Sequence, residues 1–151
     1  MNTTVLFFAM FVLLAAFNAG TMTTLQLQHY GIYRYVGRAN FVEYIRANNR
    51  AAVLPAIAPA IFLLFTSIIL MFERPPFMSL GDASAALSLN LAQLASTCVW
   101  QRRLQAEMAE TGYDDAKVRV LLSTNWIRTI AFLIQMLLAA AILVRALGKT
   151  G

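Results

Sequence analysis

No aspartate or glutamate falls inside any long apolar run of this 151-residue chain. A proton-coupled exporter of this size needs a membrane-embedded carboxylate, so that class is set aside. Cysteine is almost missing as well. Cys98 stands alone within an apolar run, which excludes an internal disulfide, a CxxC redox pair and a multi-cysteine metal site. It reads as a small buried hydrophobe. Histidine also occurs once, as His29. Haem held by two histidines would need the second from another copy of the chain, whereas five-coordinate haem would need only His29. No Ser–His–acid arrangement, phosphate loop or GxGxxG is present, which argues against hydrolase and nucleotide chemistry. Metal ligands other than His29 are confined to surface carboxylates, so no metal site is expected.

Charged residues make up only 13% of the chain, and 60% are hydrophobic, with a mean hydropathy of +0.65. Soluble domains carry about 25% charged and 45–50% apolar residues. The balance predicts a single all-α integral membrane domain over residues 1–151. A span needs about 20 mostly apolar residues. Four runs qualify, at about 4–27, 51–72, 83–100 and 120–146, the third being the least apolar. The opening "MNTT" has no basic residue, and its run outlasts a signal-peptide core, so the first run is expected to stay as a span. Pro55 and Pro59 are expected to bend the second span, because each frees a backbone carbonyl.

The net charge is +5, and its distribution sets the expected topology. Arg34, Arg38, Arg46, Arg50, Arg102, Arg103, Lys117 and Arg119 fall in the segments 28–50 and 101–119. The opposite side holds Arg74, Arg145 and Lys149. The excess of Lys and Arg on one side places both large loops in the cytoplasm and both termini outward, in a plasma or inner membrane. Lipid headgroups account for this charge, and no basic helix or aromatic platform suggests nucleic acid. Tyr30, Tyr33, Tyr35, Phe41 and Tyr44 alternate with arginines over 28–50, which suits an interfacial segment after the first span. In "ERPPFMSLGD" (73–82), Ser79 or Asp82 is expected to cap the third span, and Gly112 to end its polar extension.

Polar residues inside the spans fall into stripes. Asn18, Thr21, Leu25, Gln28 and His29 share one helical face of the first span. Asn90, Gln93, Thr97 and Gln101 share a face of the third, and Asn125, Arg128, Phe132 and Gln135 a face of the fourth. Turned toward one another, they would form a polar cavity open to the cytoplasm. Amides and hydroxyls also serve simply to bond helices together. Arg128 is harder to explain, since it needs an acidic partner and no span supplies one. It either snorkels to the headgroups or pairs with a carbonyl, with Glu43, Asp114 or Asp115, or with an anionic or carbonyl-bearing ligand.

If the cavity is a site, His29 is the candidate base. Arg128, Asn125 and Gln93 could stabilise an oxyanion. Tyr30 and Trp126 could stack on a flat substrate. Asn18, Asn90, Gln101 and Gln135 complete the expected ligand-contacting set.

The pair "VWQRRLQ" (99–105) and "LLSTNWIRTIAF" (121–132) resembles a family of small four-helix membrane proteins of unknown function that includes anthrone-oxygenase-like proteins. Gln101–Arg102–Arg103–Leu104 and Trp126–Arg128–Thr129 carry the resemblance. The chain has Val99–Trp100–Gln101 where many members have proline and asparagine, and Asn125 near the place of a histidine. The resemblance implies a four-helix bundle. It also implies cofactor-independent oxygenation of an enolisable aromatic substrate, an oxidoreductase activity. Three classes stay open: a binding protein or accessory subunit, such an oxygenase, and a haem- or quinone-binding redox protein. The expected partners are the bilayer, a hydrophobic small molecule, and another copy or membrane chain.

Overall fold

The computed structural model describes residues 3–148, so Lys149, one of the cations that set the expected topology, lies outside the described residues. Helix α1 covers Thr3–Thr24 and runs on through a widened, π-helical turn at Leu25–His29 into tight turns over Tyr30–Tyr35. A short amphipathic helix, α2, follows at Phe41–Ala51, then a second widened turn at Val53–Ile57 and α3 at Ala58–Phe72. Helix α4 spans Leu80–Ser96 and passes through a third widened turn, Thr97–Gln101, into α5 at Arg102–Thr111. The long α6 covers Asp115–Leu147. No strand occurs among the described residues.

The helix boundaries follow local chemistry. Ser79 Oγ accepts from the Asp82 amide at 3.1 Å while Asp82 Oδ2 accepts from the Ser79 amide at 2.9 Å. This reciprocal box satisfies donors that the first turn of α4 leaves open. Arg145 Nη2 donates to Asp82 Oδ1 at 2.8 Å and ties the end of α6 to the start of α4. Asp114 Oδ1 accepts from the amides of Ala116 and Lys117 and starts α6. Gly112 ends α5 at φ 86°, in the left-handed region that a side chain disfavours.

Pro55 lies inside the Val53–Ile57 turn and Pro59 in the first turn of α3. The expected bend is therefore a widened turn. Proline lacks the N–H that an α-turn would use, and its ring crowds the carbonyl four residues back.

Helices α1 and α4 each pack against both α3 and α6. Their shared core includes Phe8, Phe11, Met22, Leu63, Leu70, Phe132 and Ile142, with Ala15, Ala83, Ala86 and Ala139 allowing close approach. A second core gathers Tyr30, Tyr33, Phe41, Ile45, Met108, Val118 and Leu121. Here α2 packs on α5, and Arg46 Nε donates to the Ala109 carbonyl at 3.1 Å. The expected interfacial segment thus folds onto its own chain, through the buried face of Phe41 and Ile45. It brings the basic stretches 28–50 and 101–119 to one end of the molecule.

Three helical stretches, Thr3–Tyr35, Val53–Phe72 and Asp115–Leu147, are long and apolar enough to cross a membrane. The expected third span, on α4, is not among them. Ser84, Ser88, Asn90, Gln93 and Ser96 dilute its hydropathy, and most of its polar groups face the other helices. Cys98 is exposed, contrary to its expected burial. It lies in the widened turn after α4, beside exposed Val99 and Trp100.

Candidate functional site: two cavities flanking a proline-widened turn

The polar stripes turn inward except at Gln28, which was expected on the inner face of the first span but is exposed. Asn18, Asn90, Gln93, Gln101, Asn125 and Gln135 are all buried. Most of them bond helix to helix, and only Asn90 and Gln93 also line a cavity. Asn90 Nδ2 donates to Ser67 Oγ on α3 at 2.7 Å. Gln93 Nε2 reaches Gln135 Oε1 on α6 at 3.4 Å, and Gln101 Nε2 donates to Thr124 Oγ1 at 3.0 Å. Asn18 Nδ2 donates back to the Leu14 carbonyl of its own helix at 2.8 Å.

Asn125 is the hub of this ladder. Its Nδ2 donates to Gln26 Oε1 at 2.7 Å, and its Oδ1 accepts from Arg128 Nη1 at 3.2 Å. Gln26 in turn donates to the Leu122 carbonyl at 3.2 Å. The Tyr30 hydroxyl couples electrostatically to the Arg128 guanidinium, so Tyr30 belongs to the same network. No ion pair among the described residues includes Arg128. Asp115 lies 4.0 Å from Arg38 and Asp114 caps α6. Hydrogen bonds from the Lys117 and Ala116 amides hold the Asp114 carboxyl below its ordinary range.

His29 and Arg128, expected to act together, line different cavities. His29 borders an open groove of about 580 Å³ between the lower half of α1 and the stretch from α2 into the Val53–Ile57 turn. Small residues make the space: Ala16, Gly20, Ala51, Ala52 and Ala56, with Pro55 on the wall. A Cβ placed on Gly20 would meet nothing within 4 Å, so that glycine deepens the groove without being needed for packing. Polar groups are few: Thr21, Thr24, Asn48 and the imidazole. His29 Nε2 is buried and has no hydrogen-bond partner among the described residues. Its ring is held among Tyr30, Tyr33 and Tyr44, at centroid separations of 5.7, 5.5 and 6.5 Å. Tyr33 is fixed by Asn48, whose Nδ2 donates to the phenol at 3.1 Å. Burial raises the Tyr44 phenol above its ordinary value, which keeps it neutral.

Arg128 borders a smaller cavity of about 110 Å³ among α3, α4 and α6, with Asn90, Gln93, Thr97 and Phe132. Ala56 lines both cavities, so the proline-widened turn stands between them. Trp126 joins neither; it is 43% exposed on the outer face of α6. It does not stack in the interior, because its position on α6 is turned away from the Asn125 face.

Sequence reasoning did not single out Ser67, Thr124, Asn48, Ala16 or Gly20. The first three are ordinary polar residues whose partners come from distant elements. Ala16 and Gly20 matter only for the volume they leave empty. No group of three or more metal-binding side chains converges among the described residues. His29 Nε2 is the atom in the groove able to ligate an iron. Comparison of the chain with protein-family models, curated proteins and solved structures finds no match.

Proposed function

We propose that this protein is a multi-pass membrane protein that binds a hydrophobic small molecule in the groove beside His29. Four helices, α1, α3, α4 and α6, form the membrane bundle in this reading. The mean hydropathy and the three long apolar helices support insertion. The basic segments gathered at one end support placing that end in the cytoplasm and the termini outside. The observation that carries the binding role is the groove itself. Its volume lies in the range of about 300–1,000 Å³ typical of small-molecule sites, its walls are mainly apolar, and one imidazole nitrogen is left free to orient a hydroxyl or carbonyl. Binding is favoured over oxygenase chemistry because a base and an enolate-stabilising cation must reach one substrate, and His29 and Arg128 border separate cavities.

A second reading, an accessory subunit with a partner span in the groove, is favoured by Ala16 and Gly20. They are one turn apart on the open face of α1, the spacing at which membrane helices approach closely.

Native mass spectrometry of the full chain from lipid nanodiscs separates these readings. The binding role predicts a retained small molecule of defined mass that is lost in Gly20→Leu, with folding unchanged. A retained protein chain would support the subunit reading. A Soret band would assign the groove to haem. Oxygen uptake with an anthrone, abolished by His29→Ala, would restore the oxygenase reading.

A further inference from the structure

The second cavity carries a cation with no counter-charge. Among the described residues Arg128 Nε is buried without a partner, and the rest of the guanidinium meets the Asn125 amide oxygen and the Tyr30 hydroxyl but no carboxylate. The carboxylates nearest in sequence, Asp114 and Asp115, are engaged at the start of α6 and with Arg38. Leaving a buried charge uncompensated is costly, so an anion brought to this point gains more than it would at the surface.

We infer that the Arg128 cavity holds the carboxylate of a single-chain fatty acid, entered from the lipid between α3 and α4. This rests on the membrane placement proposed above, but not on the His29 groove being occupied. A guanidinium offers paired donors that match a carboxylate edge. The volume of about 110 Å³ takes a carboxylate and its first methylenes. A glycerophosphate headgroup does not fit in it. The lip of the cavity is apolar and faces outward. Ile57, Ile61 and Leu94 border it, each 47% exposed. An acyl chain leaving the cavity would therefore continue along the lipid-facing surface.

Depth agrees with this assignment. The Asp82–Arg145 pair marks one end of the bundle. Arg128 lies about 25 Å from Arg145 along α6 at 1.5 Å per residue, against a hydrocarbon thickness of about 30 Å. That puts the guanidinium just inside the opposite boundary, at the level where fatty-acid carboxylates reside.

Binding of oleate to the full chain in nanodiscs, followed with a ¹³C-labelled carboxylate, tests the inference. Saturable one-to-one binding is expected, at least tenfold weaker for methyl oleate and at least tenfold weaker for Arg128→Gln. Leu94→Trp, which narrows the lip and leaves the guanidinium in place, should weaken oleate by a similar factor. It serves as the test if Arg128→Gln does not fold. Gly20→Leu should leave oleate binding unchanged. Equal binding of methyl oleate would overturn the assignment. So would tighter binding of phosphatidylglycerol or inorganic phosphate, or loss of oleate in Gly20→Leu, which would move the acid to the His29 groove.

Discussion

The two ends of the helical fold are built on different rules. Toward the Asp82–Arg145 end, α1, α3, α4 and α6 run as regular α-helices. They pack through Phe8, Phe11, Leu63, Leu70 and Ile142, with alanines at the close approaches. Polar side chains there are satisfied locally or in pairs, such as Ser67 Oγ to the Leu63 carbonyl and Asn90 to Ser67. At the other end all three widened turns occur, at Leu25–His29, Val53–Ile57 and Thr97–Gln101. The core becomes aromatic and polar, and both cavities open. A widened turn adds a residue to the helix circumference and breaks regular packing, which is why such turns gather at sites. Regular packing and open cavities thus lie at opposite ends of the same helices.

Substitutions at the two ends should separate these features. The largest loss is expected from Phe11→Ala, since Phe11 is fully buried in the regular core. Removing its ring should cost about 3 kcal/mol, read by unfolding in mixed micelles, with the small molecule proposed for the groove retained under native conditions. Loss of ligand without loss of stability would erase the division. Asn125→Leu should cost about 2 kcal/mol, because Gln26 Oε1 loses its donor and Arg128 its acceptor. A neutral result would show that the Asn125 hub does not hold the widened end together.

Ser79→Ala, at the regular end, should cost about 1 kcal/mol through the lost helix cap. The same cap carries a pH dependence. Burial raises the Asp82 carboxyl, but hydrogen bonds from Arg145 and Ser79 outweigh it and leave the group below its ordinary value. A carboxyl depressed on folding stabilises the fold above its unfolded value, and that contribution disappears as the pH falls through the folded one. The thermal midpoint should therefore drop on acidification below about pH 4, and Asp82→Asn should flatten that limb. The smallest effect is expected for the Asn90–Ser67 pair. A double-mutant cycle should give a coupling of about 0.6 kcal/mol; a value near zero would mean this contact only fills space.

Much of this arrangement was legible from residue type and period. Ser79, Gly112 and the inward faces of Asn90, Gln93, Asn125 and Gln135 follow from capping chemistry and a 3.6-residue repeat. Legibility stopped where the period changes. On a regular helix Gln28 falls within the first polar stripe and Gln26 falls outside it. The widened turn at Leu25–His29 buries Gln26 against Asn125 and leaves Gln28 exposed. The separation of His29 from Arg128 was hidden for a related reason. It depends on where Pro55 places Ala56, and no pattern within α1 or α6 encodes that. Aromatic character at Trp126 suggested stacking, but its position on α6 leaves the ring exposed on the outer face. The likeness carried by "VWQRRLQ" and "LLSTNWIRTIAF" rests on those residues alone. In the structure they supply the Gln101–Thr124 and Asn125–Arg128 contacts.

His29 is the only histidine, so ¹⁵N-histidine labelling of a protein purified without a polyhistidine tag yields one imidazole. Its Nε2 resonance in nanodiscs, before and after hydrophobic ligands are stripped, reads the groove directly. A bound molecule hydrogen-bonded to His29 predicts a shift on stripping, and the same shifted position in unstripped Gly20→Leu. An Nε2 resonance unchanged by stripping and by Gly20→Leu would contradict the account.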